Sequence, residues 1–248
     1  MVGSLLVRGM LVGVLAGLLA FAFARAFGEP QVDRAIAFED QAAKAAGEAP
    51  EPVLVSRKVQ AGAGLLTALV VVGAALGGIF ALVFATLYGR VGAIGARALS
   101  ALLAFGAFVS VSLVPQIKYP ASPPAVGSPE TISSRTSLYF ALLAISVAVL
   151  IAAVLLAHRL WKRHGGWNAT LIAGAAFIVV MAAVEIVLPA VNEVPKTFSA
   201  DLLWRFRIAS LGIHVILWTV LGVVFGIVAE RRLAREHRGA VASGTSLH

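Results

Sequence analysis

Six apolar runs alternate with polar stretches along the chain, at residues 3–27, 59–88, 98–114, 137–160, 168–188 and 208–229. Each is close to the ~20 residues that a helix needs to cross a hydrocarbon core, and longer than the core helices of a soluble domain. The pattern predicts an all-α, polytopic membrane protein: one helical domain over residues 1–230, built as a bundle of about six transmembrane helices. Five spans would be left if the first run were a cleaved signal peptide with Arg8 in its charged region. The apolar stretch 9–24 exceeds the usual core of such a peptide, which favours a retained helix. Tyr88, Tyr119, Tyr139, Trp161, Trp167 and Trp204 sit near the ends of the runs, where interfacial aromatics belong. Gly9, Gly13 and Gly17 in the first run, and Gly73 and Gly77 in the second, recur every four residues. That spacing places each set on one helix face, where another helix can approach closely.

Composition agrees: 60% of the 248 residues are hydrophobic and 13% charged, with mean hydropathy +0.93. There is no cysteine, so a metal here has only oxygen and imidazole ligands. The net charge of +8 lies mostly beside apolar runs and orients them, which removes the usual reason to expect nucleic acid. Lys and Arg alone tie at ten on each side if the amino end is cytoplasmic. The acids break the tie, because nine of the twelve fall in the three alternate loops that carry the prolines. Those three loops are therefore expected on the extracytoplasmic side. The short basic stretches 158–164 and 231–238 are expected in the cytoplasm, with residues 231–248 forming a basic, disordered tail.

The polar loops hold the candidate chemistry. Residues 115–136 include Pro115, Pro120, Pro123, Pro124 and Pro129, which fix φ and remove donors, so the stretch reads as a shaped loop that presents Lys118 and Tyr119, with Gly127 near its end. Residues 28–58 open with Gly28 as a helix stop. A short amphipathic helix on the membrane surface is expected over 32–44, with Glu29, Asp33, Glu39 and Asp40 on its wet side. Residues 45–55, rich in Ala, Glu and Pro, read as flexible. Two ionisable groups lie inside runs. Glu185 is about four residues before Pro189, roughly 6 Å deep, and His214 about six residues into the last run, roughly 9 Å deep. A charge buried in a span costs ~2.5–3.5 kcal/mol when central and normally faces a partner or cavity. Glu185 and His214, with Asn192 and Glu193 from the fifth loop, would suit a borderline divalent cation such as Co²⁺, Ni²⁺ or Zn²⁺. Asp33 and Glu39 are further candidate ligands. A structural hydrogen-bonded pair is the plainer account of Glu185 and His214.

The blocks beginning Glu29-Pro-x-Val-Asp-Arg and Val55-Ser-Arg57, the run Leu76-Gly-Gly-Ile-Phe, the block Lys118-Tyr-Pro through Pro123, Pro124 and Gly127, Arg135-Thr136, and Asn192-Glu-Val-Pro with Trp204-Arg-Phe-Arg follow one another in an order that resembles the CbtA-type probable cobalt transporter subunit family. The resemblance covers nearly the whole chain. It implies Co²⁺ as the transported ion with no tightly bound cofactor, uptake linked to cobalamin synthesis, the bacterial inner membrane as the site, and a small single-span partner with a histidine-rich end. It also implies histidines in the first polar loop, which residues 40–55 lack, and five spans against the six counted here.

Other functions compete. A haem-bearing membrane anchor needs two axial histidines at membrane depth, and only His214 qualifies. A scaffold or assembly subunit would use its loops to hold a partner, with Glu185 and His214 dispensable. An enzyme is disfavoured, since no His-Glu-x-x-His or nucleophile–base spacing occurs. The absence of a Gly-x-x-x-x-Gly-Lys-Ser/Thr loop means that the chain does not couple ATP itself.

Overall fold

The computed structural model describes residues 2–47, 54–92 and 94–242, of which 237–242 through their backbone alone. It is 86% helical, and no strand occurs among the described residues. Five helices are long and apolar enough to cross a membrane: α1 (Val2–Ala46), α2 (Arg57–Leu87), α3 (Ala96–Lys118), α4 (Pro129–Val187, with a short 3₁₀ turn before the α-helix proper at Ile132) and α5 (Ala200–Glu236). The chain is a multi-pass membrane protein.

Helix α4 contains two of the expected spans. Gly165, at φ 74° and ψ 162°, is not helical, and this region of backbone space is open essentially only to glycine. If α4 were straight, Leu142 and Met181 would be ~58 Å apart at 1.5 Å per residue. Instead Leu142, Phe177 and Met181 share one apolar cluster with Val114. The chain therefore reverses at Gly165, and the Trp161 ring lies where a Cβ on Gly166 would sit. Six passes result.

Two helix boundaries differ from expectation for one physical reason. Gly28 does not stop the first helix, which runs on to Ala46 through Pro30, so the surface helix expected over 32–44 is a continuation of α1. Likewise Pro115 does not open the loop, because α3 continues to Lys118. A proline inside an α-helix lacks its N–H and presses on the carbonyl four residues back. In both helices a wider, π-helical stretch precedes the proline: Ala24–Gly28 before Pro30 and Phe108–Leu113 before Pro115. The residue just before each proline bonds five residues back, Glu29 N–H to Ala24 O and Val114 N–H to Val109 O. The shifted ladder moves the carbonyl opposite the ring and the helix survives. At the other end, α5 continues beyond 231, with helix to Ala242, where a disordered tail was expected; residues 243–248 lie outside the described residues. So do 48–53, within the stretch 45–55 expected to be flexible.

The chain divides into two compact units. The first comprises residues 1–29, 51–105 and 212–248. In it α1 crosses α2 in antiparallel register, Gly9 facing Gly77, Gly13 facing Gly73 and Gly17 facing Leu69, so closely that a Cβ on any of these glycines would strike the backbone opposite. Ala16 and Ala20 continue the same face and pack with Leu217 of α5. Phe225 stands edge-on to both Phe80 and Phe84. Ser100 Oγ donates to Gly222 O at 2.8 Å, which ties α3 to α5.

The second unit comprises residues 30–50 and 106–211. Gly106 of α3 lies against Leu150 of α4, and Val114 against Leu142. Gln116 Nε2 donates to Ser210 Oγ at 3.0 Å.

Candidate functional site

The second unit gathers the three polar segments at one end. Ala35 and Phe38 of α1, Ala125 and Val126 of the α3–α4 loop, and Val194, Phe198, Leu202 and Leu203 after α4 form one apolar cluster, in which Phe38 meets Phe198 edge-to-face with centroids 5.1 Å apart. These apolar residues break up otherwise polar segments, and burying them together is what brings the segments into contact.

Hydrogen bonds then fix the loop. Tyr119 Oη donates to Pro189 O at 2.9 Å, and partial burial pushes the Tyr119 phenol up, which keeps that proton in place. Glu193 Oε2 accepts from Ser128 N–H at 2.7 Å and from Thr131 Oγ1 at 2.9 Å. Arg135 Nε stands 3.5 Å from the same oxygen, while Arg135 Nη2 donates to Ser128 O at 3.1 Å. The Ser128 N–H above all, then the Thr131 hydroxyl and the Arg135 charge, hold the Glu193 carboxyl below its ordinary range. Gly127 makes this possible twice over. Its φ is 113°, and a Cβ there would lie 2.7 Å from Arg135 Cζ. Pro123 is buried, and Pro120 and Pro124 are partly buried.

Beneath this loop cluster, Lys118 ends α3 and Glu185 sits two residues from the end of α4. Both are partly buried, and the Tyr119–Pro189 hydrogen bond holds the two helix ends that carry them together. Glu193 thus serves as a loop clamp, with Glu185 the carboxylate below it. Asn192, Asp33 and Glu39 are exposed. His214 is a partly buried residue of α5 in the first unit, whereas Glu185 belongs to the second. Among the described residues no three His, Asp or Glu side chains come together as a group able to hold a metal ion.

One carboxylate was misread from the sequence. Glu29, expected on the wet side of a surface helix, is 7% exposed and forms an ion pair with Arg57 at the start of α2. Because α1 continues as a helix past Gly28, Glu29 stays in register with the packed face instead of turning to water. The available signal was an acid, Glu29, just after the first apolar run and a basic pair, Arg57 and Lys58, just before the second.

The family model described as "Probable cobalt transporter subunit (CbtA)" matches residues 2–230. Comparison with curated proteins found no match, and comparison with solved structures found none. With that match extending over nearly the whole chain, the chain belongs to the CbtA family of probable cobalt transporter subunits.

Proposed function

We propose that the protein is the membrane subunit of a divalent-metal uptake system whose cargo is Co²⁺, acting in the bacterial inner membrane in support of cobalamin synthesis. The observation that carries the reading is that Glu185 and Lys118 stand at two helix ends joined through Tyr119 and Pro189, below a loop cluster pinned by Glu193. A carboxylate at this depth needs a counter-charge, and Lys118 supplies one when no ion is present. An arriving divalent cation replaces the ammonium, so the site trades one compensating charge for another without leaving a bare carboxylate in the bilayer. The loop cluster is the mouth, facing outside the cytoplasm, and Asn192, Asp33 and Glu39 are exposed oxygen donors on it. Within the first unit, His214 is the proposed nitrogen donor, on the strength of its depth along α5. A small single-span subunit with a histidine-rich end is the proposed partner that delivers metal.

Glu185→Gln and His214→Gln are each expected to abolish cobalt-dependent growth in a strain lacking other cobalt uptake, at unchanged protein level in membranes. Normal growth of both variants would refute the ligand assignment. A second reading, a scaffold that holds a metal-binding partner, is favoured by the absence of a three-ligand group among the described residues. It predicts that both variants grow normally and that disrupting the loop cluster, as in Phe198→Ala, stops growth instead.

A further inference from the structure

At the amino end of α1 and the far end of α5 the first unit forms a cleft lined by Arg8, Arg231, Arg232, Arg235 and Val228. Two of the arginines are held in place. Arg8 bonds to Ser4, and Arg232 Nε donates to the same Ser4 hydroxyl at 3.3 Å while its Nη2 pairs with Glu236 at 2.6 Å. Glu230, the other acid of this stretch, is engaged by Arg97 at 2.6 Å. Among the described residues four arginines therefore line one cleft, and no carboxylate lines it, Glu236 being paired with Arg232 at its side. Like charges about 4 Å apart repel by about 1 kcal/mol in water and more beside a low-dielectric wall, and an anion bound among such charges relieves the repulsion.

The position of the cleft selects the anion. On the same two helices, beside the arginines or inward of them, Val7, Leu11 and Val223 are 56%, 63% and 54% exposed. In a membrane-spanning chain such side chains face lipid, so the arginines lie at headgroup level with acyl chains beside them. Val228 gives the cleft an apolar wall on that side. Guanidinium groups suit phosphate oxygens through paired, planar N–H donors.

We infer that this cleft binds the phosphodiester headgroup of an anionic phospholipid, with its acyl chains along the exposed apolar face of α1 and α5. The test uses the full chain in mild detergent, with phosphatidylglycerol or phosphatidylcholine added and bound lipid counted by native mass spectrometry. Wild type is expected to bind phosphatidylglycerol in preference to phosphatidylcholine, and a large excess of inorganic phosphate is expected not to displace it. Arg231→Gln with Arg235→Gln, both at exposed positions, should weaken phosphatidylglycerol binding about 25-fold, and Arg231→Gln alone about fivefold, which covers a failure of the double variant to accumulate. Arg231→Lys with Arg235→Lys, which keeps both charges, should retain most of the binding. Equal binding of the two lipids, or unchanged affinity in the Gln variants, would overturn the inference; displacement by inorganic phosphate would assign the cleft to free phosphate and overturn it as well.

Discussion

Replacing Glu193 by Gln leaves the Ser128 amide, the Thr131 hydroxyl and the Arg135 guanidinium facing a neutral oxygen, so the 119–131 loop should lose its fixed position with little change in the helices. Hydrogen exchange of amides 119–131 should speed up in Glu193→Gln and stay slow in Asn192→Ala. Acid should have the same effect. The folded carboxyl titrates below its unfolded value, so its contribution is fully present above about pH 4.3, the ordinary glutamate value, and is lost as pH falls through the depressed one. Glu29 is a different case, because its carboxylate is buried and its partner Arg57 is about one-third exposed. Removing one member of a buried pair costs ~3–5 kcal/mol, reduced here to about 2 kcal/mol because water reaches the arginine. Glu29→Ala should therefore lower the thermal midpoint by several degrees, and Glu29→Ala with Arg57→Leu should recover part of the loss. At this scale the sequence was least legible. Whether an acid is solvated, clamping a loop or buried against an arginine depends on helix register, and the register past Gly28 was set by a π-helical turn that leaves no compositional mark.

Among the elements, each apolar run falls, to within a residue, inside one of the five long helices, with 137–160 and 168–188 both in α4, because length and hydrophobicity decide where a helix can cross a bilayer. Their ends were less legible. Pro30 and Pro115 normally forbid a helix interior, and only the local switch to bonding five residues back admits them. The glycine spacing was informative, since Gly9, Gly13, Gly73 and Gly77 all lie where the backbones of α1 and α2 meet. Gly13→Leu should push α1 and α2 apart at a cost of about 1–3 kcal/mol or more, read as a fall in thermal midpoint, whereas Gly3→Leu, with nothing within 4 Å of a Cβ, should leave it unchanged. Gly165 makes a separate prediction. A Cβ there meets nothing within 4 Å, so Gly165→Ala should destabilise through backbone strain alone, by ~1–3 kcal/mol.

For the whole molecule, the expectation that the three proline-bearing segments lie on one side has a structural counterpart in the second unit, where Phe38, Val126 and Phe198 draw them into a single cluster. What the sequence could not supply was the neighbour of Glu185, since Lys118 stood in it only as a residue of the loop. The central claim is that this carboxylate, balanced by Lys118 in the empty state, takes up the cation. The most direct measurement is accumulation of radiolabelled cobalt by cells carrying wild type, Glu185→Gln or Lys118→Gln at equal membrane levels. The account predicts that Glu185→Gln reduces initial uptake at least tenfold, while Lys118→Gln, which unbalances the empty site but spares the ligand, shifts the concentration needed for half-maximal uptake. Wild-type uptake by Glu185→Gln would contradict it.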